Sequence, residues 1–148
     1  MILFADTSAL IKLYFDEVGS ATMAERIRGV RLALSALAYA EVYSAFARRL
    51  REDLLTEEEH TELVERFERD WQGVIVVALL PALLGRVPRL VRKHPLRSAD
   101  SIHLASALAL QEAGLETTFA VADQRLVEAA SKEGLAAFDP GAPAFKGE

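Results

Sequence analysis

The run Met1-Ile2-Leu3-Phe4-Ala5-Asp6-Thr7-Ser8-Ala9-Leu10 decides how the rest of the chain is read. Four apolar residues follow one another without alternation and stop at a carboxylate. An uninterrupted apolar run suits a strand covered on both faces, the usual state of parallel strands in α/β proteins. Leu10, Ile11, Leu13 and Tyr14 then have the spacing of a helix that folds back over that strand. Asp6 is thereby placed at a strand's carboxyl end, where open α/β sheets build their ligand sites. The same residue also has a purely structural reading as a helix N-cap.

Working outward, Ser20 opens a short helix that Gly29 ends, and Arg31 to Ser35 reads as a second strand. From Ala36 to Arg51 runs a helix that is apolar nearly all round at first, so it is expected to be largely buried. Glu41 lies within it, with Leu37, Ala38, Ser44 and Ala45 three and four positions away. A carboxylate on so apolar a face needs a partner, because burying it alone is costly. Thr56 and Glu59 form a capping box that opens an acidic helix with a Leu63, Phe67, Trp71 stripe, expected to pair with the preceding helix as a hairpin. Val74 to Leu79 reads as a third strand. An amphipathic basic helix follows over Ala82 to Lys93, with Pro88 as a kink, and Pro95 closes it. Ser98 is expected to cap a helix over Ala99 to Gln111, apolar on most sides, that crosses the core. Thr118 to Ala122 then makes a fourth strand ending at Asp123, Gln124 to Lys132 a helix, and Leu135 to Phe138 an edge strand, with a loose tail from about 140.

At 148 residues the chain is read as a single domain, residues 1–148, of an α/β fold, with 51% hydrophobic residues to fill its core. No apolar run approaches the roughly 20 residues a bilayer demands, and the N-terminus has neither a basic leader nor the apolar core of a secretion signal. The expected location is the cytoplasm. With no cysteine, disulfides and thiolate metal sites are excluded, and any ion must be held by oxygen or by His60, His94 and His103. The net charge of −5 is unevenly spread: nine acids against two arginines between residues 52 and 70 leave the rest of the chain at +2. Arg86, Arg89, Arg92, Lys93 and Arg97 lie in a stretch without acids, and Arg48, Arg49 and Arg51 form a second cluster. Either cluster can contact phosphates or simply face water.

Asp123 repeats the arrangement of Asp6, an apolar strand followed by Asp and a helix, while Asp100 falls in the first turn of a buried helix, where the helix dipole also favours it. Each acid has a mild explanation by itself. One explanation covers them all: if Asp6, Glu41, Asp100 and Asp123 converge, their mutual repulsion calls for a divalent cation. An all-oxygen donor set suits Mg²⁺ or Mn²⁺ and leaves positions open for phosphate oxygens, the requirement of phosphodiester chemistry.

The spaced series Asp6-Thr7-Ser8, Ala40-Glu41-Val42, Arg97-Ser98-Ala99-Asp100-Ser101-Ile102-His103-Leu104-Ala105 and Ala122-Asp123-Gln124-Arg125-Leu126 resembles the PIN domain family. Within it, the chain is most similar to the toxin ribonucleases of VapBC toxin–antitoxin pairs. The resemblance covers nearly the whole chain. It implies a three-layer α/β/α sandwich with a central parallel sheet, Mg²⁺- or Mn²⁺-dependent cleavage of RNA, a homodimer, and inhibition by a small cognate antitoxin. By position, Asp6, Glu41 and Asp100 match the family's core acids, Asp123 its more variable fourth, and Ser8 a hydroxyl beside the site. Val121 departs from the Thr or Ser often found two residues before the fourth acid. His103 is expected to be a packed core histidine.

The mechanism these residues imply is hydrolysis by metal-activated water, with no histidine base and with 5′-phosphate and 3′-hydroxyl products. Arg48, Arg86, Arg89 and Arg97 are the candidates for RNA backbone contacts, and Arg97 equally for an ion pair with a site carboxylate. Two other classes share parts of this pattern. A receiver-like phosphotransfer module gathers Asp residues at strand ends around Mg²⁺, but no Lys stands at a late strand end here and Glu41 goes unexplained. A binding protein of the same fold that no longer turns over is the other, to which only Val121 points.

Overall fold

The computed structural model describes residues 1–143. Five strands, β1 (Ile2–Ala5), β2 (Arg31–Ser35), β3 (Ile75–Val77), β4 (Thr117–Ala120) and β5 (Ala136–Phe138), pair in parallel in the order β3-β2-β1-β4-β5. β1 is central and all four of its residues are buried. Its side chains alternate between two cores: Ile2 and Phe4 point into one, Leu3 and Ala5 into the other. The opening apolar run has no alternation because both of its faces are covered.

Helices α1 (Thr7–Leu10), α2 (Ser20–Arg26), α3 (Leu37–Arg51) and α4 (Glu57–Trp71) cover the Leu3 face; α5 (Pro81–Leu84), α6 (Val87–Lys93), α7 (Ser98–Glu112) and α8 (Gln124–Lys132) cover the Phe4 face. The result is a three-layer α/β/α sandwich. α4 opens on the Thr56–Glu59 capping box, each side chain bonding the other's backbone N–H, and pairs with α3 as an antiparallel neighbour through Tyr39, Tyr43, Phe46, Phe67 and Trp71. Gly19 has a φ of 96°, and a Cβ there would come within 2.8 Å of the Pro140 backbone, so only glycine lets the end of the described chain pack against the start of α2. Residues 144–148 of the expected loose tail lie outside the described residues.

Two expectations about local structure are corrected. The basic helix is two helices, not one kinked helix: α5 ends at Leu84, and Pro88 sits in the first turn of α6. A proline ring clashes with the carbonyl four residues back, here that of Leu84, whereas a helix start has no use for the missing N–H. The second concerns Ser98, which is the first residue of α7 and not its cap. Arg97, in extended conformation, takes the cap position, and Asp100 accepts its backbone N–H at 3.0 Å.

Because β1, β2 and β3 step one way across the sheet and β4 then returns to the other side of β1, the connections leave the carboxyl ends of β1 and β4 in opposite directions. That is a topological switch point, where such sheets leave an open crevice. Asp6 follows β1 directly, and Asp123 follows β4 by three residues.

Candidate active site

Asp6 is extended (φ −78°, ψ 172°) and caps α1; its Oδ1 accepts from Ala9 N at 3.0 Å and from Ser8 Oγ at 2.6 Å. Ser8 Oγ in turn accepts from Ala122 N at 3.0 Å, tying the end of β1 to the segment after β4. Asp6 is 7% exposed. Burial above all pushes its carboxyl up to about 6, against the opposing influence of His103 and of the Ser8 and Ala9 hydrogen bonds, and the nearby Asp100 charge pushes the same way as burial.

Glu41, in the second turn of α3, is half-buried. Thr7 Oγ1 at 2.8 Å and His103 Nε2 at 2.6 Å both reach its Oε1. Burial works to raise this carboxyl, but the His103 and Thr7 hydrogen bonds outweigh it and hold Glu41 below the usual range. Asp100, in the first turn of α7, uses Oδ2 for the Arg97 amide. Asp123 caps α8 through Arg125 N at 2.9 Å, and the Arg125 guanidinium pairs with both of its oxygens at 3.4 and 3.1 Å. That pairing holds its carboxyl low, against a smaller effect of burial.

The four acids thus stand at one end of the sheet, but they differ in what the protein asks of them. In Asp6, Glu41 and Asp100 a single oxygen takes all the hydrogen bonds found among the described residues, and the second oxygen is open; in Asp123 both are committed to Arg125. Among the described residues no three carboxylate or imidazole groups are gathered closely enough to enclose one ion as they stand. The donor chemistry nevertheless fits a hard divalent cation: three open carboxylate oxygens, no sulfur, and a buried Asp6 whose raised proton affinity marks negative charge without a full complement of partners.

His103 is buried, 2% exposed, but it is more than a packed core residue: from α7 it reaches Glu41. Its position three residues after Asp100 is the signal for this, since residues i and i+3 share a helix face. Val121, where a hydroxyl was the alternative, is fully buried in the core beneath α7 and α8, so its side chain belongs to the packing.

The arginines divide. Arg48 is exposed on α3, on the Glu41 stripe two turns further along, and with Thr7, Ser8 and Ala45 it lines a hollow of about 400 Å³ whose walls include none of the four acids. Arg97 is exposed at the start of α7. Arg86 and Arg89 are not brought to the acids: they pair with Glu112 at 2.6 Å and Glu133 at 2.5 Å, which stand at the far ends of α7 and α8. At 1.5 Å per residue those helices separate them from Asp100 and Asp123 by about 18 and 15 Å. Arg125, which the sequence reading passed over, is the cation that sits among the acids; Asp100 as well as Asp123 holds its charge. A larger hollow of about 910 Å³, walled by Leu13, Tyr14, Ile27, Arg66 and Val74, contains none of the four acids.

Glu133 carries a prediction of its own. Its side chain, 5% exposed, meets Arg89, Lys93 and His94 within 2.9 Å, and the Arg89 hydrogen bond first, then those of Lys93 and His94, hold its carboxyl down to about 2. A carboxyl that binds its proton more weakly when folded stabilises the fold above its ordinary 4.5, and the contribution is lost as pH falls from there towards 2. Arg89 and Lys93 are more than half exposed, so solvent screens much of the attraction. Glu133→Gln is expected to cost about 1–2 kcal/mol at pH 7 in urea unfolding, with the deficit shrinking as pH falls from 4.5 and vanishing only towards 2. A deficit that did not shrink between pH 5 and pH 3 would show that packing, not charge, was lost.

A sequence model of the PIN domain matches residues 3–132. Ribonuclease VapC45 of Mycobacterium tuberculosis is 39% identical over 126 residues, covering 84% of this chain and 86% of that protein. Among solved structures, FitAB bound to an IR36 DNA fragment superposes with a TM-score of 0.70 at 18% identity, covering 99% of this chain and all of that one. A toxin-antitoxin complex from Klebsiella pneumoniae gives 0.61 at 18% identity, covering 86% and 90%.

Proposed function

The chain belongs to the PIN domain family and is of the VapC type, and from that premise we propose that it is an endoribonuclease dependent on Mg²⁺ or Mn²⁺, the toxin of a toxin–antitoxin pair. The observation that carries the reading is the set of three carboxylates, Asp6, Glu41 and Asp100, each with one oxygen fixed by the protein and one left open, beside a switch point of a parallel sheet. Asp6, Glu41 and Asp100 would hold the cation through these open oxygens, and Asp123, paired here with Arg125, is the fourth acid beside them. When bound, the cation neutralises charge at the phosphate and activates water for attack on phosphorus.

The chain's own residues do the rest. Ser8 holds Asp6 and the end of β4 in one arrangement, so the carboxylate does not reorganise as charge develops. Arg48, exposed on α3, and Arg97, exposed at the start of α7, bind phosphates of the substrate backbone. Arg125, paired with Asp123, is a third cation beside the acids. Arg86 and Arg89 stand apart from this group, engaged with Glu112 and Glu133. The partners proposed are an RNA, a second copy of the chain in a homodimer, and a small antitoxin protein in the cytoplasm; the solved toxin-antitoxin complex of the same fold supports the last. Among the described residues no helix is long and apolar enough to cross a membrane.

The direct test is digestion of RNA with Mn²⁺ against an EDTA control. Cleavage is expected only with Mn²⁺, leaving 5′-phosphate and 3′-hydroxyl ends. Asp100→Asn is expected to reduce cleavage to the level of the control while leaving the circular dichroism spectrum unchanged. Equal cleavage by that variant, or 2′,3′-cyclic phosphate products, would refute the assignment.

A further inference from the structure

Two donors from elements far apart in sequence converge on one atom. Thr7, the first residue of α1, and His103, in the second turn of α7, both reach Oε1 of Glu41, and among the described residues Oε2 receives nothing. An ionised carboxylate only accepts, so the hydrogen in the imidazole contact is on Nε2. The other ring nitrogen, Nδ1, is the one buried side-chain nitrogen or oxygen among the described residues without a hydrogen-bond partner. An imidazole placed only for packing would not leave a buried polar atom unpaired at the end of a helix face otherwise filled by Leu104, Ala105, Ala107 and Leu108. The cost is explained if the Nε2 contact is what the position is for.

We propose that His103, assisted by Thr7, is a positioning residue that holds Glu41 as a one-oxygen metal ligand. With Oε1 occupied twice, Glu41 offers a cation Oε2 alone. Ser8 and Ala9 do the same for Asp6, and the Arg97 amide for Asp100. A site whose carboxylates each give one oxygen suits a small octahedral ion such as Mg²⁺ or Mn²⁺; Ca²⁺, which takes six to eight oxygens and accepts carboxylates two oxygens at a time, loses ligands there. His103 is in this way a determinant of which ion binds. The inference rests on the metal-centre reading above and adds the residue that shapes it.

The test is calorimetric titration of the full chain with Mn²⁺ and, separately, with Ca²⁺, which needs no RNA. His103→Leu is expected to weaken Mn²⁺ binding about tenfold and to narrow the preference for Mn²⁺ over Ca²⁺, in the range found when partners of metal-binding side chains are removed. His103→Gln, whose amide N–H can replace the Nε2 donor, is expected to recover most of both. In a Glu41→Gln background His103→Leu is expected to change nothing further. Wild-type Mn²⁺ affinity in folded His103→Leu, or an equal loss in the Glu41→Gln background, overturns the proposal. If loss of the buried imidazole unfolds the chain, Thr7→Val, on the half-buried side of the same oxygen, is expected to weaken Mn²⁺ about threefold, and unchanged affinity there overturns it. Failure of the unaltered chain to bind Mn²⁺ overturns the metal centre and the clamp together; binding that ignores these substitutions overturns the clamp alone.

Discussion

Asp6→Asn is expected to make the metal-free protein more stable at pH 7.5 while removing its ability to cut RNA. Both effects come from one carboxylate. The folded chain binds the Asp6 proton more tightly than the unfolded chain does, about 6 against an ordinary 3.8, so the ionised group opposes folding in full above pH 6. At about 1.4 kcal/mol per unit this approaches 3 kcal/mol as a ceiling. Asparagine keeps an oxygen for Ala9 N and Ser8 Oγ but introduces an N–H in place of Oδ2, which returns part of the gain, so about 1–2 kcal/mol is expected in urea unfolding with EDTA. The advantage shrinks as pH falls from 6 towards 3.8, because the wild-type group then takes up its proton in the folded state. Saturating Mn²⁺ reverses the order, since a ligand that binds only the folded wild type stabilises only the wild type. A variant less stable than wild type in EDTA at pH 7.5 would sink the argument that Asp6 is a strained charge awaiting a cation.

Phe67→Ala is expected to have the largest effect on the fold, about 3–5 kcal/mol. Phe67 is the buried residue of α4, 1% exposed, and its ring lies 5.7 to 6.2 Å from those of Tyr14, Tyr39, Tyr43, Phe46 and Trp71. Most of that contact is edge to face, so truncation removes both burial and ring pairing and opens a cavity where α4 meets α3. A loss of this size is a large fraction of a domain's usual stability. The urea midpoint is expected to fall steeply, yet the remaining folded molecules should bind Mn²⁺ as before, because α4 supplies none of the acids. A midpoint shift below about 1 kcal/mol would mean that α4 is held by other contacts.

The layering was legible in the sequence wherever one residue type dictates one environment. The unbroken Ile2 to Ala5 run could be a buried strand and little else, and the Thr56–Glu59 pair announced the start of α4 to the residue. Asp6, Glu41, Asp100 and Asp123 stood out because a carboxylate at the end of an apolar strand, or inside an apolar helix, needs a reason. The division of the basic helix at Pro88 was less accessible: a proline kinks a helix or starts one, and the difference depends on whether the preceding turn has anything to pack against. The fate of the arginines was less accessible still. Arg89 meets Glu133 across 44 residues of sequence and Arg86 meets Glu112 across 26, so neither neutralisation leaves a local trace.

What the sequence by itself determined was the set of candidates: which side chains are acidic, which strands and helices carry them, and that any ion they would share is a hard one. Only the tertiary structure decided how each candidate is used. His103, by its residue type and apolar setting, reads as core, and it is core; that it also grips Glu41 follows from α3 and α7 lying side by side over 62 residues of separation. Likewise, which oxygen of each carboxylate is spoken for depends on donors supplied by a different element or by the first turn of a helix. Hydrophobic periodicity is a property of consecutive residues and survives without a fold, whereas a hydrogen bond exists only between atoms that the fold has already brought within about 3 Å.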